Sequence, residues 1–166
     1  MATASAHLPA VSAQSAVRAG AAVMSLAGLG FVGYAVIFFI RNFTDSFLEL
    51  GIGSGEVSVG KAQIEQFSPS LYHYISHLHI AVSGFIAAAG LAVACLAWFG
   101  VRHGQMWALV TAVAVPVLGL SVALPAHYPW GFDTLGHLGL IYLDTLIFVV
   151  GAALAYYGLT RSRAET

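Results

Sequence analysis

The sequence predicts an all-helical integral membrane protein, a four-helix bundle of one domain. Of its 166 residues, 59% are hydrophobic and 8% are charged, whereas soluble domains carry about 25% charged residues. Four apolar stretches reach the roughly 20 residues that a helix needs to cross a bilayer. None of them alternates apolar with polar residues, as the strands of a membrane barrel do. Because backbone polar groups in lipid must be satisfied within the segment, we predict that these stretches are helices.

The predicted helices cover residues 19–40, 72–99, 107–124 and 134–159. They lie in one membrane domain, residues 18–160. An alanine- and serine-rich tail, residues 1–17, precedes it, and we expect this tail to be disordered. Residues 161–166 are expected to form a short cytoplasmic tail. The lipid bilayer is therefore the first expected partner, and a net charge of −1 gives no electrostatic support for binding nucleic acid.

The basic residues predict the orientation of the bundle. Cytoplasmic loops of membrane proteins are enriched in lysine and arginine. With the N-terminus inside, the inner residues are Arg18, Arg102, Arg161 and Arg163, and the outer ones are Arg41 and Lys61. We therefore expect an N-in/C-in orientation, in the plasma (inner) membrane.

One connection is much longer than the others. Residues 41–68, the outer segment, join the first and second helices on the outer side, whereas the other connections are short. In a compact bundle, a long connection is often a lid or a contact surface. We expect the outer segment to lie over the outer end of the bundle, where the histidines also lie.

Two stretches that open helices 2 and 4 resemble each other. In both, a proline precedes a histidine by the same number of positions, the histidines being His77 and His137. Between proline and histidine, His73 in the first copy corresponds to Asp133 in the second. The pattern predicts a two-fold internal repeat, relating helices 1–2 to helices 3–4, that brings two histidines to equal depth.

This repeat predicts a cofactor or metal site at the outer side. If the copies are related by an axis along the membrane normal, His77 and His137 face that axis from opposite sides and could bind the iron of haem b. Gly84 would leave room for a flat macrocycle. Alternatively, imidazole and carboxylate groups bind a transition metal. The candidate metal ligands are His73, His77, His127, Asp133 and His137.

The arrangement resembles that of small b-type membrane cytochromes, four-helix bundles with haem between facing histidines. The resemblance is one of architecture and does not extend to a shared motif. It implies haem b as the cofactor, an electron-transfer or oxidoreductase role, and a redox partner in the membrane. A homo-oligomer is a further expected assembly.

Asp144 is the one acidic residue predicted to lie inside a membrane span, about 15 Å along helix 4. A carboxylate near the bilayer centre costs several kcal/mol unless it is paired or protonated, and such residues usually have a function. We expect Asp144 to be the catalytic, proton-handling acid. Asp133, besides its role as a candidate ligand, is a suitable N-cap for helix 4.

Two other functions are compatible with the sequence. The protein could be a non-catalytic membrane subunit or assembly partner that docks another protein through residues 41–68. It could also be a small proton or solute carrier that uses Asp144. Whether the protein is an enzyme is left open at this point.

Overall fold

A computed structural model of the chain describes residues 12–47 and 49–164. This part of the chain forms no strand and five α-helices: α1 (Ala13–Thr44), α2 (Lys61–Phe67), α3 (Pro69–Cys95), α4 (Met106–His127) and α5 (Leu135–Ala164). All except α2 are long and apolar enough to cross a membrane. The prediction of an all-helical chain with four helices long and apolar enough to cross a membrane is therefore confirmed.

The helix α1 begins earlier than the sequence predicts. The hydroxyl of Ser12 accepts a hydrogen bond of 3.2 Å from the backbone nitrogen of Ser15, which is how an N-cap starts a helix. The alanines that follow also favour helix. Residues 13–17 therefore belong to α1 rather than to the predicted disordered tail. The rest of that tail, residues 1–11, lies outside the described residues.

The helix α3 begins and ends with recognisable signals. The hydroxyl of Ser68 caps it, and Pro69 occupies the first turn, where a backbone N–H is not needed. The helix continues as a π-helical turn, Leu96–Gly100, and a 3-10 turn, Val101–His103. Gly104 then adopts a left-handed conformation with φ +84°, which costs a glycine little, and the chain reverses into α4.

The helix α1 is the central helix of the bundle, because it packs along both α3 and α5. The backbones approach closely: a Cβ atom on Gly28 would lie only 2.6 Å from the carbonyl oxygen of Gly90 in α3. Close approach through small residues is a common way for helices to pack in lipid. We call the end of the bundle that holds Ala13 and Ala164 the proximal end, and the end that holds α2 the distal end.

A few apolar residues, among them Ala35, Phe38 and Leu138, are buried in the distal half of the bundle, but the main hydrophobic core lies in the proximal half. It consists of Val17, Ala21, Met24, Ala27, Val93, Ala97, Val101, Ala108, Leu109, Ala112, Phe148, Ala155 and Leu159. The last buried residue of α4 is Ala112. Only 17% of the most apolar window of α4 is buried, against 33% for α1. Beyond Ala112, α4 stands away from α1, which leaves a cleft between the spanning helices in the distal half.

The outer segment is tied to the end of α1 by Lys61. Its ammonium group donates hydrogen bonds to the carbonyl oxygens of Arg41 (3.0 Å) and Asn42 (3.1 Å), and the last carbonyls of a helix need such partners. Arg41 also pairs with Asp45 at 3.2 Å. Desolvation lowers the pKa of the Lys61 ammonium; Asp45 opposes this shift and Arg41 adds to it.

The outer segment also contacts the beginning of α5. Gly51 has a left-handed backbone with φ +73°, and a Cβ atom there would overlap the carbonyl group of Gly136. Both features require a glycine. The contact holds the preceding residues, Glu49 and Leu50, over the distal end of the cleft.

Candidate functional site

His137 is held in the first turn of α5, where it is 2% exposed. Its backbone nitrogen donates a hydrogen bond of 3.3 Å to the hydroxyl of Thr134, which acts as the helix cap. Asp133 is exposed and precedes α5, so the expectation that it caps this helix is wrong. The cap falls on Thr134, the residue directly before the first helical position, and this fixes the direction of His137.

A backbone carbonyl orients the imidazole of His137. Its Nδ1 atom donates a short hydrogen bond of 2.7 Å to the carbonyl oxygen of Leu50. Because a carbonyl oxygen only accepts, Nδ1 carries a proton, and in the neutral form of the ring Nε2 presents a lone pair. This is how proteins commonly orient a histidine that binds a metal or a substrate.

The Nε2 atom of His137 is buried and makes no hydrogen bond. It nevertheless lies 3.3 Å from a carboxylate oxygen of Glu49. Two acceptors at this distance repel each other unless one of them carries a proton or a third group donates to both. His137 and Glu49 therefore form a site that holds a proton or a donor group.

A second histidine lies beside the first. The ring centroids of His127 and His137 are 5.1 Å apart, with the planes tilted by 34°. The Nδ1 atom of His127 donates to the carbonyl oxygen of Ala123 at 2.9 Å, so its Nε2 atom is also free to act as an acceptor or ligand. At this distance the two rings are too close together to bind one haem iron from opposite faces.

These groups line the distal cleft, which has a volume of about 450 Å³. Its walls come from α1, α3, α4 and α5 and are mostly apolar, and its polar side chains are Tyr34, Glu49, His127 and His137. Sites for small organic ligands are typically of this size, mostly apolar, with a few polar groups that orient the ligand.

Asp144 lies two helical turns deeper than His137 on nearly the same face of α5, about 10 Å along the axis. It lines a smaller cavity of about 50 Å³. That cavity and the cleft share the wall residues Phe31, Ala89, Val115, Pro116 and Leu120. Asp144 therefore stands at the floor of the space that His137 closes at the distal end.

The structure places His73 and His77 away from the cleft. Both are exposed, and each lies about 180° around α3 from a residue that lines the cleft, His73 from Val82 and His77 from Ile86. The predicted arrangement, with His77 and His137 on opposite faces of one haem, is therefore not formed.

The packing of α3 on α1 explains why His73 and His77 lie on the face of α3 away from the cleft. Gly90, which contacts Gly28, is on the same face of α3 as His79, about 20° away, and about 140° from His77. His79 therefore turns inward, where its ring stacks on Phe38 at 3.7 Å and its Nε2 atom donates to the Phe38 carbonyl at 3.3 Å.

Gly84 does not provide the predicted room for a macrocycle. A Cβ atom there would meet nothing within 4 Å, and Gly84 is exposed and does not line the cleft. The glycine of α3 that packs closely against a neighbouring helix is Gly90. Room for a ligand therefore comes from the displacement of α4 and not from Gly84.

Within residues 12–47 and 49–164, no group of three or more histidine, cysteine or acidic side chains is arranged to hold a metal ion. Of the five predicted metal ligands, the structure brings together only His127 and His137. Glu49 joins them, although the sequence did not single it out. Its one signal was its position in the long outer segment, just before the glycine turn at Gly51.

No family model matches this chain, and neither a curated protein nor a solved structure is significantly similar to it. The function therefore has to be argued from the geometry of the cleft.

Proposed function

We propose that this protein is an integral membrane protein that binds a lipophilic molecule in the distal cleft, with the polar head of that molecule hydrogen-bonded to Nε2 of His137. The observation that carries the proposal is a buried Nε2 atom without a hydrogen bond at the polar end of an apolar cleft of about 450 Å³. An unsatisfied buried polar atom costs roughly 1–3 kcal/mol. A bound head group removes that cost.

The neighbouring groups favour a ligand that exchanges protons. Glu49 is 41% exposed on its side chain, so it reaches both the aqueous surface and His137. A proton taken up from water by Glu49 can be passed to His137 and from there to the head group. Reduction of a quinone-like head group takes two electrons, which a redox partner in the membrane would supply, and two protons, which this route would supply. The hydroxyl group of the reduced form can then donate to Nε2 of His137, which is why we assign an electron-transfer or oxidoreductase role.

Haem b is the second candidate ligand, favoured by the anchoring of His137. A histidine whose Nδ1 atom is bonded to a carbonyl presents Nε2 as an iron ligand. The residues fit one axial ligand, because His77 is on the wrong face of α3 and His127 lies beside His137. A Soret band that shifts on reduction, in protein expressed with haem supplied, would support haem. Metal analysis of the same sample tests the prediction of a non-haem transition metal.

The orientation and the repeat belong to the proposal. The distribution of Arg18, Arg102, Arg161 and Arg163 favours a cytoplasmic proximal end, so the head of the ligand lies at the outer leaflet of the plasma membrane. The internal repeat stays a prediction. Its two prolines occupy different settings, since Pro69 starts α3 whereas Pro129 lies in a separate 3-10 turn, Tyr128–Trp130.

A docking function for the outer segment is supported by one observation. Phe67, at the end of α2, is 83% exposed, and nearby Val59 is 46% exposed. Exposed apolar residues on a distal surface suit contact with another protein. In this second proposal, the protein is a subunit whose residues 41–68 bind a membrane redox partner.

Native mass spectrometry of protein purified in a mild detergent tests the proposed function. We expect the wild-type chain to retain one small lipophilic molecule. His137→Ala should release it, because the hydrogen bond to the head group is lost. His73→Ala is the matched control, since it removes a histidine that is exposed on α3. Equal retention by both variants, or no retained molecule in the wild type, would contradict the proposal.

A further inference from the structure

The carboxylate of Asp144 occupies an unusual position between α1 and α5. It lines the small cavity below the cleft and also a groove of about 300 Å³ on the other side, beside Gly30, Gly33 and Tyr34. Its Oδ1 atom lies against the backbone of α1, because a Cβ atom on Gly30 would be only 2.6 Å from it. Among the described residues, no cationic side chain lines the cavity or the groove.

Asp144 has no partner within the described part of the chain. It takes part in no hydrogen bond or ion pair there, although it lies two turns inside a membrane-spanning helix. Residues of this kind are expensive in a bilayer and usually pair with something or mark a pathway. The described residues provide no cation at this depth, so the carboxyl group is either protonated or paired with a group from outside them.

We propose that Asp144 recognises a second polar group of the bound molecule, a protonated amine about 10 Å from the head group at His137. The inference rests on the proposed function and narrows its ligand to lipophilic amines. The cleft supplies the apolar walls between the two ends, and the shared residues Phe31, Pro116 and Leu120 form the passage. An ammonium group balances the Asp144 charge in a region of low dielectric, where such a pair attracts strongly.

Gly30 is the positioning residue for this carboxylate. Any side chain at position 30 pushes the end of Asp144 out of the seam between α1 and α5, whereas a Cβ atom on Gly33, one turn further along α1, would meet nothing within 4 Å. Gly30→Ala and Gly33→Ala are therefore a matched pair. The first should disturb amine recognition, and the second should leave it unchanged.

Two fluorescent probes of equal length test whether Asp144 recognises an ammonium group of the bound molecule. N-dansyl octanediamine carries a sulfonamide head and a terminal ammonium, and N-dansyl nonylamine carries the same head and a terminal methyl group in place of the ammonium. In nanodiscs, after subtraction of the signal from empty nanodiscs, we expect the ammonium probe to bind wild-type protein roughly ten-fold more tightly, about 1.4 kcal/mol. Asp144→Asn should abolish this preference. Asp133→Asn, which removes an exposed carboxylate outside α5, should keep it.

The outcomes distinguish the two proposals. If both probes bind equally to the wild type, or if Asp144→Asn keeps the preference, the assignment of Asp144 is overturned while the binding cleft stands. If neither probe binds, the binding cleft itself is wrong, and the amine site with it. Loss of both probes in His137→Ala, with Asp144→Asn losing only the preference, is the expected result.

Discussion

At the scale of single residues, the candidate site depends on how one imidazole is held. The Leu50 carbonyl fixes Nδ1 of His137, Thr134 caps the turn that carries it, and Gly51 allows the chain to come close enough. These contacts leave Nε2 buried beside Glu49. The result is one buried polar atom on a residue that lines the apolar cleft, which suits the proposed binding of a lipophilic molecule with a polar head.

Glu49→Gln is expected to weaken ligand binding. The amide of glutamine can donate a hydrogen bond to Nε2 of His137, so the atom is satisfied before a ligand arrives. Loss of one net hydrogen bond, about 1–1.5 kcal/mol, corresponds to a roughly ten-fold weaker affinity, measured by titration of the dansyl nonylamine probe. Glu65→Gln on α2 is the control and should bind as the wild type does. Unchanged affinity in Glu49→Gln would show that Nε2 does not contact the ligand.

The sequence alone could not predict which residues contact His137 or which way each face of α3 points. The importance of His137 follows from its position after Pro129, but its partner Glu49 is distant in sequence and is brought to it by a turn. Helical periodicity puts His73 and His77, which are four residues apart, on one face of α3. It could not say which way this face points, because the contact between Gly28 and Gly90 decides the rotation.

At the scale of helices, length and hydropathy were sufficient to predict the four spans. A helix in lipid must satisfy its own backbone, so an apolar run of sufficient length has few alternatives. The first and last residues of these helices were less predictable than their number. For example, capping by Ser12 extends α1 back to Ala13. Which helices pack against each other could not be predicted from length and hydropathy. This packing is set by glycines on α1, which let this helix become the centre of the bundle.

The glycine contacts predict that Gly28→Ala lowers the stability of the protein, which is the reverse of the usual effect of Gly→Ala in a helix. Gly→Ala inside a helix usually adds up to about 1 kcal/mol of stability. Gly28→Ala should instead lower the unfolding midpoint in detergent, because its Cβ atom would lie 2.6 Å from the Gly90 carbonyl oxygen. Gly33→Ala, on the same helix with open space around it, should leave the midpoint unchanged or raise it. A Gly28→Ala protein as stable as Gly33→Ala would rule out the close packing of α1 on α3.

At the scale of the whole molecule, the bundle is packed at one end and open at the other. The core lies in the proximal half, while the distal half of α4 contributes no buried residue after Ala112. Under the proposed function, a ligand bound in the distal cleft completes the part of the bundle that the hydrophobic core leaves open. Molecules that bind the folded state stabilise it by mass action, by about 2.7 kcal/mol at a hundred-fold excess over Kd.

Hydrogen–deuterium exchange of α4 tests this account most directly. The measurement compares protein that retains its bound molecule with protein stripped of it by detergent exchange. The account predicts that amides between Pro116 and His127 lose protection on stripping, while those between Met106 and Ala112 do not change. His137→Ala should behave like stripped protein from the start. If the distal half of α4 is equally protected in all three samples, no ligand completes the bundle and the distal cleft is not a binding site.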